Sequence, residues 1–264
     1  MKGLNIREAL SRKERVVLGA VPILLLLLVW FFITNGEPEE RVVTPLILPS
    51  PVEVVKSFKS LWYDAELSRS VAASTLRVAA GFAVSLLFAF PLGLLMGSFS
   101  KVKSLFEPVS VFGAYLPIPT LVPLTMSLFG IDEFQKVMFL SIAFFVYLLP
   151  LFVKAVDEVD NVYLQTAYTL GATKWQTVWH VLLKIALPKL FHAMRLGFGV
   201  GWSYIVLAEM VAATRGLGAI IIIAQRRGPR EHIYLVLLVI VLVAYITDKL
   251  WEKAEKKLFP YQIF

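Results

Sequence analysis

Residues 160–188 read DNVYLQTAYTLGATKWQTVWHVLLKIALP, a stretch too polar to cross a membrane although the chain on either side of it is apolar enough to do so. The stretch is dense in helix signals. Asp160 or Asn161 can cap a first short helix that runs through Gln165, Thr166 and Ala167 to Leu170, and Gly171 supplies the left-handed residue that ends it. Thr173 starts a second helix, with Gln176 three residues on as its capping-box partner. Val178, Val181 and Leu182 then make an apolar stripe before Pro188 leads onward. The expectation is a helix–glycine–helix elbow over 160–186, with Ala167 small enough to admit another surface. Such an elbow is a rigid knob that a partner can grip and lever.

Outward from the elbow the chain belongs in lipid. Of its 264 residues 58% are hydrophobic and 17% charged, with a mean hydropathy of +0.74, and a soluble domain of this length carries more charge. A helix needs about 20 apolar residues to span the hydrocarbon. Six stretches meet or approach that: 16–35, 72–97, 106–130, 135–156, 187–213 and 232–250. The fold class predicted is an all-α membrane protein of six transmembrane helices. Its parts are an N-terminal segment 1–15, a first span 16–35, an exterior loop 36–71, a core 72–250 and a tail 251–264. The basic start (Lys2, Arg7, Arg12, Lys13, Arg15) resembles that of a signal peptide, but the apolar run that follows, Val16 to Thr34, is roughly 19 residues against the usual 7–15 and lacks a small-residue cleavage site. It reads as a retained helix. Lys/Arg clusters at the N-terminus, at Lys101 and Lys103, from Lys154 to Lys189 and in the tail all fall on one side, so both termini are expected in the cytoplasm. An exterior loop with Arg215, Arg226, Arg227 and Arg230 breaks that bias. Between the first two spans, Ser50, Pro51 and Glu53 open an interfacial helix whose apolar face is Val52, Val55, Phe58 and Trp62.

Several function classes drop out. The net charge of +7 lies in clusters flanking apolar runs, a pattern of a bilayer edge rather than of a nucleic-acid partner. There is no cysteine, so Cys-based metal sites are excluded, and three histidines with no H-E-x-x-H leave little material for a metalloenzyme. No G-x-x-x-x-G-K-[ST] loop is present, so the chain does not hold a nucleotide in that manner. An intramembrane enzyme needs a convergent acid–base constellation, and Glu209 with scattered histidines is not one. An ion-gradient transporter stays as the alternative, although that class is expected to show paired broken helices and the one proline-broken span seen here has no counterpart.

Gln165-Thr166-Ala167-x-x-x-Gly171, then Val181-x-Leu183 and Leu187-Pro188, resembles the "EAA" loop of ABC-importer permeases, whose pattern is E-A-A-x-x-x-G-x9-I-x-L-P. The chain departs from it at Gln165 for Glu, Thr166 for Ala, Val181 for Ile and Lys184 for Pro. Ser74-Thr75-Leu76-Arg77-Val78 with Gly81-Phe82, Pro91-Leu92-Gly93, Glu107-Pro108, Pro117 to Pro123-Leu124, Phe129-Gly130-Ile131, and Gly201-Trp202 to Glu209-Met210 with Gly216-Leu217-Gly218 are similar to the nitrate/sulfonate/taurine branch. The likeness runs from about Leu48 onward. It implies a type I ABC importer permease fold with a cytoplasmic coupling helix, in a bacterial or archaeal cell membrane. The partners it implies are two ATPase subunits carrying ATP and Mg, a second permease copy (a homodimer, since no half looks specialised) and an external substrate-binding protein. The chain itself then has no cofactor. Gln165, Thr166, Ala167, Leu170, Gly171, Ala172 and Trp175 become the ATPase-coupling residues. The branch favours a small anion such as a sulfonate, nitrate or bicarbonate; pyrimidine precursors and other heterocycles are the alternative, which Tyr115 and Trp202 suit.

Within the spans, Pro117, Pro119 and Pro123 break the third, and a broken helix offers carbonyls and a bending point to a solute, or merely packs. Tyr115, Thr120 and Ser127 are the polar side chains beside it. Glu209 in the fifth span either lines the pathway or holds Arg77. Gly197, Gly199 and Gly201 make one flank of that span small, which suits close helix packing.

Overall fold

The computed structural model describes residues 10–39, 41–211 and 213–261; the N-terminal Lys2 and Arg7 and the last three residues of the tail lie outside them. Five helices are long and apolar enough to cross a membrane, and one bent pair makes a sixth crossing if counted as one span. The first is α1 (Arg12–Ile33), opened by a capping box between Ser11 and Glu14. None of its apolar window is buried, so it stands outside the bundle. It is fastened at its far end, where the Trp30 indole donates to the Pro49 carbonyl at 2.9 Å.

The expected interfacial helix forms in two pieces, α2 (Pro51–Lys56) and α3 (Phe58–Tyr63), with the Ser50–Glu53 capping box in place. The buried Ser57 hydroxyl donates to the Val54 carbonyl at 2.8 Å and competes with the backbone ladder at the break. Val54 and Leu61 turn inward to the bundle, leaving the predicted face of Val52, Val55, Phe58 and Trp62 outward, with Phe58 and Trp62 against each other.

The core is built on α4 (Leu67–Ser98) and α7 (Glu133–Asp157). They run parallel: a Cβ built on Gly81 meets Leu140 at 2.7 Å, one on Gly93 meets Phe152 at 2.6 Å, and one on Gly97 meets Val156 at 2.5 Å. Gly81, Ser85, Ala89, Gly93 and Gly97 recur every fourth residue, so α4 offers a ridge of small side chains into which α7 sinks. Parallel neighbours demand an intervening crossing. The segment supplying it is the third predicted span, and it is not one helix. It divides into α5 (Ser100–Ala114) and, after a 3₁₀ turn at Ile118–Thr120, α6 (Leu121–Phe129), bent by 89°. Pro117 and Pro119 remove two backbone donors at the corner, which is why the corner falls there.

After the elbow helix α8 (Asn161–Thr169), the second arm does not stop before the fifth span as expected. Lys174–Gln176 (α9), a π-helical turn at Thr177–Leu182 and α10 (Leu183–Glu209) form one continuous helix from Lys174 to Glu209. Pro188 lies inside it and costs one ladder bond, which membrane helices tolerate. α10 packs antiparallel on α7, with Gly197 against Leu148 and Gly201 against Phe144; Gly199 faces open space, so the three glycines do not share a flank. The exterior arginine segment is not a plain loop either: it holds α11 (Leu217–Arg227), with Arg226 and Arg227 in its last turn. The chain closes with α12 (Arg230–Leu258), which runs past the predicted sixth span and turns most of the expected tail into helix. Arg195 clamps α12 to α10 through both oxygens of Asp248, at 2.6 and 2.8 Å, and through Glu255 at 3.2 Å.

Candidate functional site

The elbow forms as the sequence spells it. The Asp160 carboxylate accepts from the Val162 N–H at 3.0 Å and opens α8. α8 ends in a Schellman turn, with Ala172 N–H on the Ala167 carbonyl and Gly171 N–H on the Tyr168 carbonyl, both at 3.0 Å. Gly171 takes φ +81° there, a conformation costly for any residue with a Cβ. The Thr173–Gln176 capping box then starts the second arm. Gln165 and Thr166 are exposed on α8, the Thr166 hydroxyl spent on the Val162 carbonyl at 2.7 Å. Leu170 at the tip is 83% exposed, and Val162, Tyr163, Tyr168, Trp175 and Trp179 are exposed around it. Trp175 also meets Phe99, at the end of α4, edge-on at 5.6 Å. Contrary to the expectation that it admits another surface, Ala167 is buried, on a helix that packs against the π-helical turn of the second arm, so it faces the inside of the elbow. Beside the elbow, the Lys189 ammonium at 2.8 Å holds the Glu158 carboxyl below the usual carboxylate range.

The residues expected along a pathway separate into two groups. Tyr115, Pro117, Pro119, Thr120, Pro123 and Ser127 are all exposed on the bent pair, and of these Pro117 and Pro119 line a cavity of about 440 Å³ at its corner. Trp202 and Glu209 do not join them. Trp202 is buried, its indole donating to the Thr247 hydroxyl at 3.1 Å and so tying α10 to α12. Glu209 is also buried, and of its two readings the geometry gives the pairing with Arg77, whose Nη1 reaches it at 2.6 Å. The Ser74 hydroxyl at 2.7 Å and the Gly218 N–H at 2.9 Å complete the carboxylate's shell. Arg77 spends its other donors on both oxygens of Glu133, at 2.6 and 2.7 Å, and on the Arg215 carbonyl at 2.7 Å. One guanidinium thus joins α4, α7, α10 and the segment before α11. Ser74, Glu133 and Gly218 were invisible as partners in the sequence. The small ridge of α4 was visible in its four-residue spacing.

Five long apolar helices, a bent pair and an elbow at one end make this a multi-span membrane bundle. Its fold matches that of the MetNI methionine ABC transporter in an inward-facing conformation, with a TM-score of 0.67 over 76% of this chain and 98% of that one at 19% identity. The chain belongs to the binding-protein-dependent transport system inner membrane components, whose pattern it matches over residues 89–250. It is 31% identical to the taurine transport system permease protein TauC of Escherichia coli (strain K12) over 98% of its own length and 94% of that protein's. It is 27% identical to the nitrate import permease protein NrtB of Synechocystis, over 93% and 90%. The chain is therefore a permease subunit of the nitrate/sulfonate/taurine type of ABC importer.

Proposed function

We propose that the elbow at 160–186 is where a separate ATPase subunit takes hold, and that two identical copies of this chain enclose a pathway for a small anion. The observation that carries the reading is the elbow's surface. A tip residue as apolar and exposed as Leu170, with aromatic side chains around it on a fixed Schellman turn, is a patch that calls for a partner. Gln165, Thr166, Leu170, Gly171, Ala172 and Trp175 meet the ATPase in this reading, and Ala167 sets the spacing of the two arms from within. ATP and Mg belong to the partner. Both termini and the elbow lie in the cytoplasm, residues 36–71 lie outside with a soluble binding protein above them, and 72–250 is the permease core. ATP binding draws the ATPases together, the elbows follow, and the cytoplasmic side closes while the outer side opens. Tyr115, Pro117, Pro119, Thr120, Pro123 and Ser127 line the pathway at the corner of the bent pair. The names of the taurine and nitrate relatives support a sulfonate or oxyanion as the solute.

The test is to purify the tagged chain gently from its native membrane and identify what accompanies it by mass spectrometry. A near-stoichiometric P-loop ATPase, lost from a folded Gly171→Val variant, is expected. A folded wild-type chain that comes out with no ATPase defeats the reading and favours an ion-driven transporter.

A further inference from the structure

Four helices, α4, α5, α6 and α10, pack on α7. What they leave open is a stripe of Tyr147, Pro150, Leu151, Lys154 and Glu158, spaced three and four residues apart. Three cavities share it. The 440 Å³ cavity at the α5–α6 corner is bounded by Tyr147, Pro150 and Leu151, with Tyr204 of α10 opposite. One of about 340 Å³ between α5 and α7 reaches Pro150 and Lys154, and one of about 350 Å³ between α7 and α10 reaches Leu151 and Lys154. Together they make a groove that descends from the corner toward the elbow and forks at Lys154. The upper cavity has no charged residue in its wall. Lys154 is the first cation met below it.

The two branches differ in charge. Toward α5, Lys103 is held by Asp157 at 2.5 Å with Glu107 nearby, so with Lys154 and Glu158, which border both branches, that side sets two cations against three carboxylates. Toward α10, Lys154 and Lys189 share the single carboxylate of Glu158, at 3.9 and 2.8 Å, and His192 is occupied with Glu255 at 3.0 Å. That branch keeps a surplus ammonium, on Lys154. A groove with low-dielectric walls focuses the field of such a charge.

We propose that the groove over α7 is the elbow-side half of the solute's route and that Lys154 selects for anions in it, an assignment that rests on the anion-importer reading above. The chain contains no cysteine, so Lys154→Cys introduces a thiol that can be recharged at will. The assay is ATP-driven uptake of radiolabelled taurine by the complete importer in proteoliposomes, alongside ethanesulfonate, nitrate and bicarbonate. Lys154→Cys should lower uptake about tenfold, on the scale of electrostatic focusing in a charged cleft. Treatment with 2-aminoethyl methanethiosulfonate, which restores an ammonium, should recover most of it, while the 2-sulfonatoethyl reagent should leave it low or lower. Basal ATP hydrolysis should stay unchanged throughout. Wild-type uptake by Lys154→Cys, equal rates after both reagents, or a thiol that neither reagent reaches would each overturn the proposal while leaving the importer reading intact. A wild-type importer that moves none of the four anions would overturn the anion reading and this proposal together.

Discussion

Arg77 lies near the start of a membrane-spanning helix with its carboxylate partners on two other helices, Glu133 on α7 and Glu209 on α10. A buried carboxylate stripped of its cation is the costly outcome in such a site. Arg77→Met should destabilise the chain by about 3–5 kcal/mol, seen as a large fall in the temperature at which the detergent-solubilised protein loses its monodisperse peak. Arg77→Met combined with Glu209→Met should recover much of the loss, because no buried charge then stays unpaired: Glu133 is exposed and keeps Lys136 at 3.7 Å. The two charged residues were legible in the sequence as interruptions of apolar runs, and their pairing was one of two readings. The rest of the shell was not legible. The Ser74 hydroxyl and the Gly218 N–H come to Glu209 only through the path of the folded chain, with Gly216 at φ +137° turning α11 back against the pair. Trp202 was misplaced for the same reason, since its partner Thr247 is 45 residues away.

Between helices, the α4–α7 contact depends on absent side chains. Gly93→Leu pushes a side chain into Phe152 where a bare Cβ already meets it at 2.6 Å, and overpacking of this kind costs about 1–3 kcal/mol. Gly199 has nothing within 4 Å of a built Cβ, so Gly199→Ala should leave the melting temperature unchanged or raise it slightly, as Ala is favoured over Gly in a helix by about 0.5–1 kcal/mol. Thermal melts of the two variants side by side check both. Sequence signals that act within one turn came through intact: the capping boxes at Ser50 and Thr173, the Asp160 cap and the Gly171 stop are all present. Signals that need a neighbour to decide them did not. Pro188 was read as a boundary and lies within a helix, whereas Pro117 and Pro119 make a corner sharper than a kink. The difference lies in number and place, since two donors lost within three residues, beside a helix already ending at Ala114, leave no ladder to bridge.

For the whole molecule, the alternation of crossings puts the elbow and the α2–α3 pair at opposite ends of the bundle. A membrane-impermeant maleimide applied to intact cells should label Tyr63→Cys and spare Leu170→Cys, both positions being well exposed and the chain otherwise free of thiols. Labelling of Leu170→Cys alone would reverse the proposed orientation. The uninterrupted helix from Lys174 to Glu209 spans 36 residues, or about 54 Å at 1.5 Å per residue. It starts three residues after the Gly171 turn and ends in the Arg77 clamp. A beam of that length is a mechanical amplifier. A tilt of about 5° delivered at the elbow displaces the far tip by about 5 Å, more than the rise of one strand residue. Because Glu209 is bolted to α4 and, through Arg77, to α7, those helices swing with the tip as one frame, and the right-angled corner at Pro117–Thr120 stands where a hinge can absorb the motion.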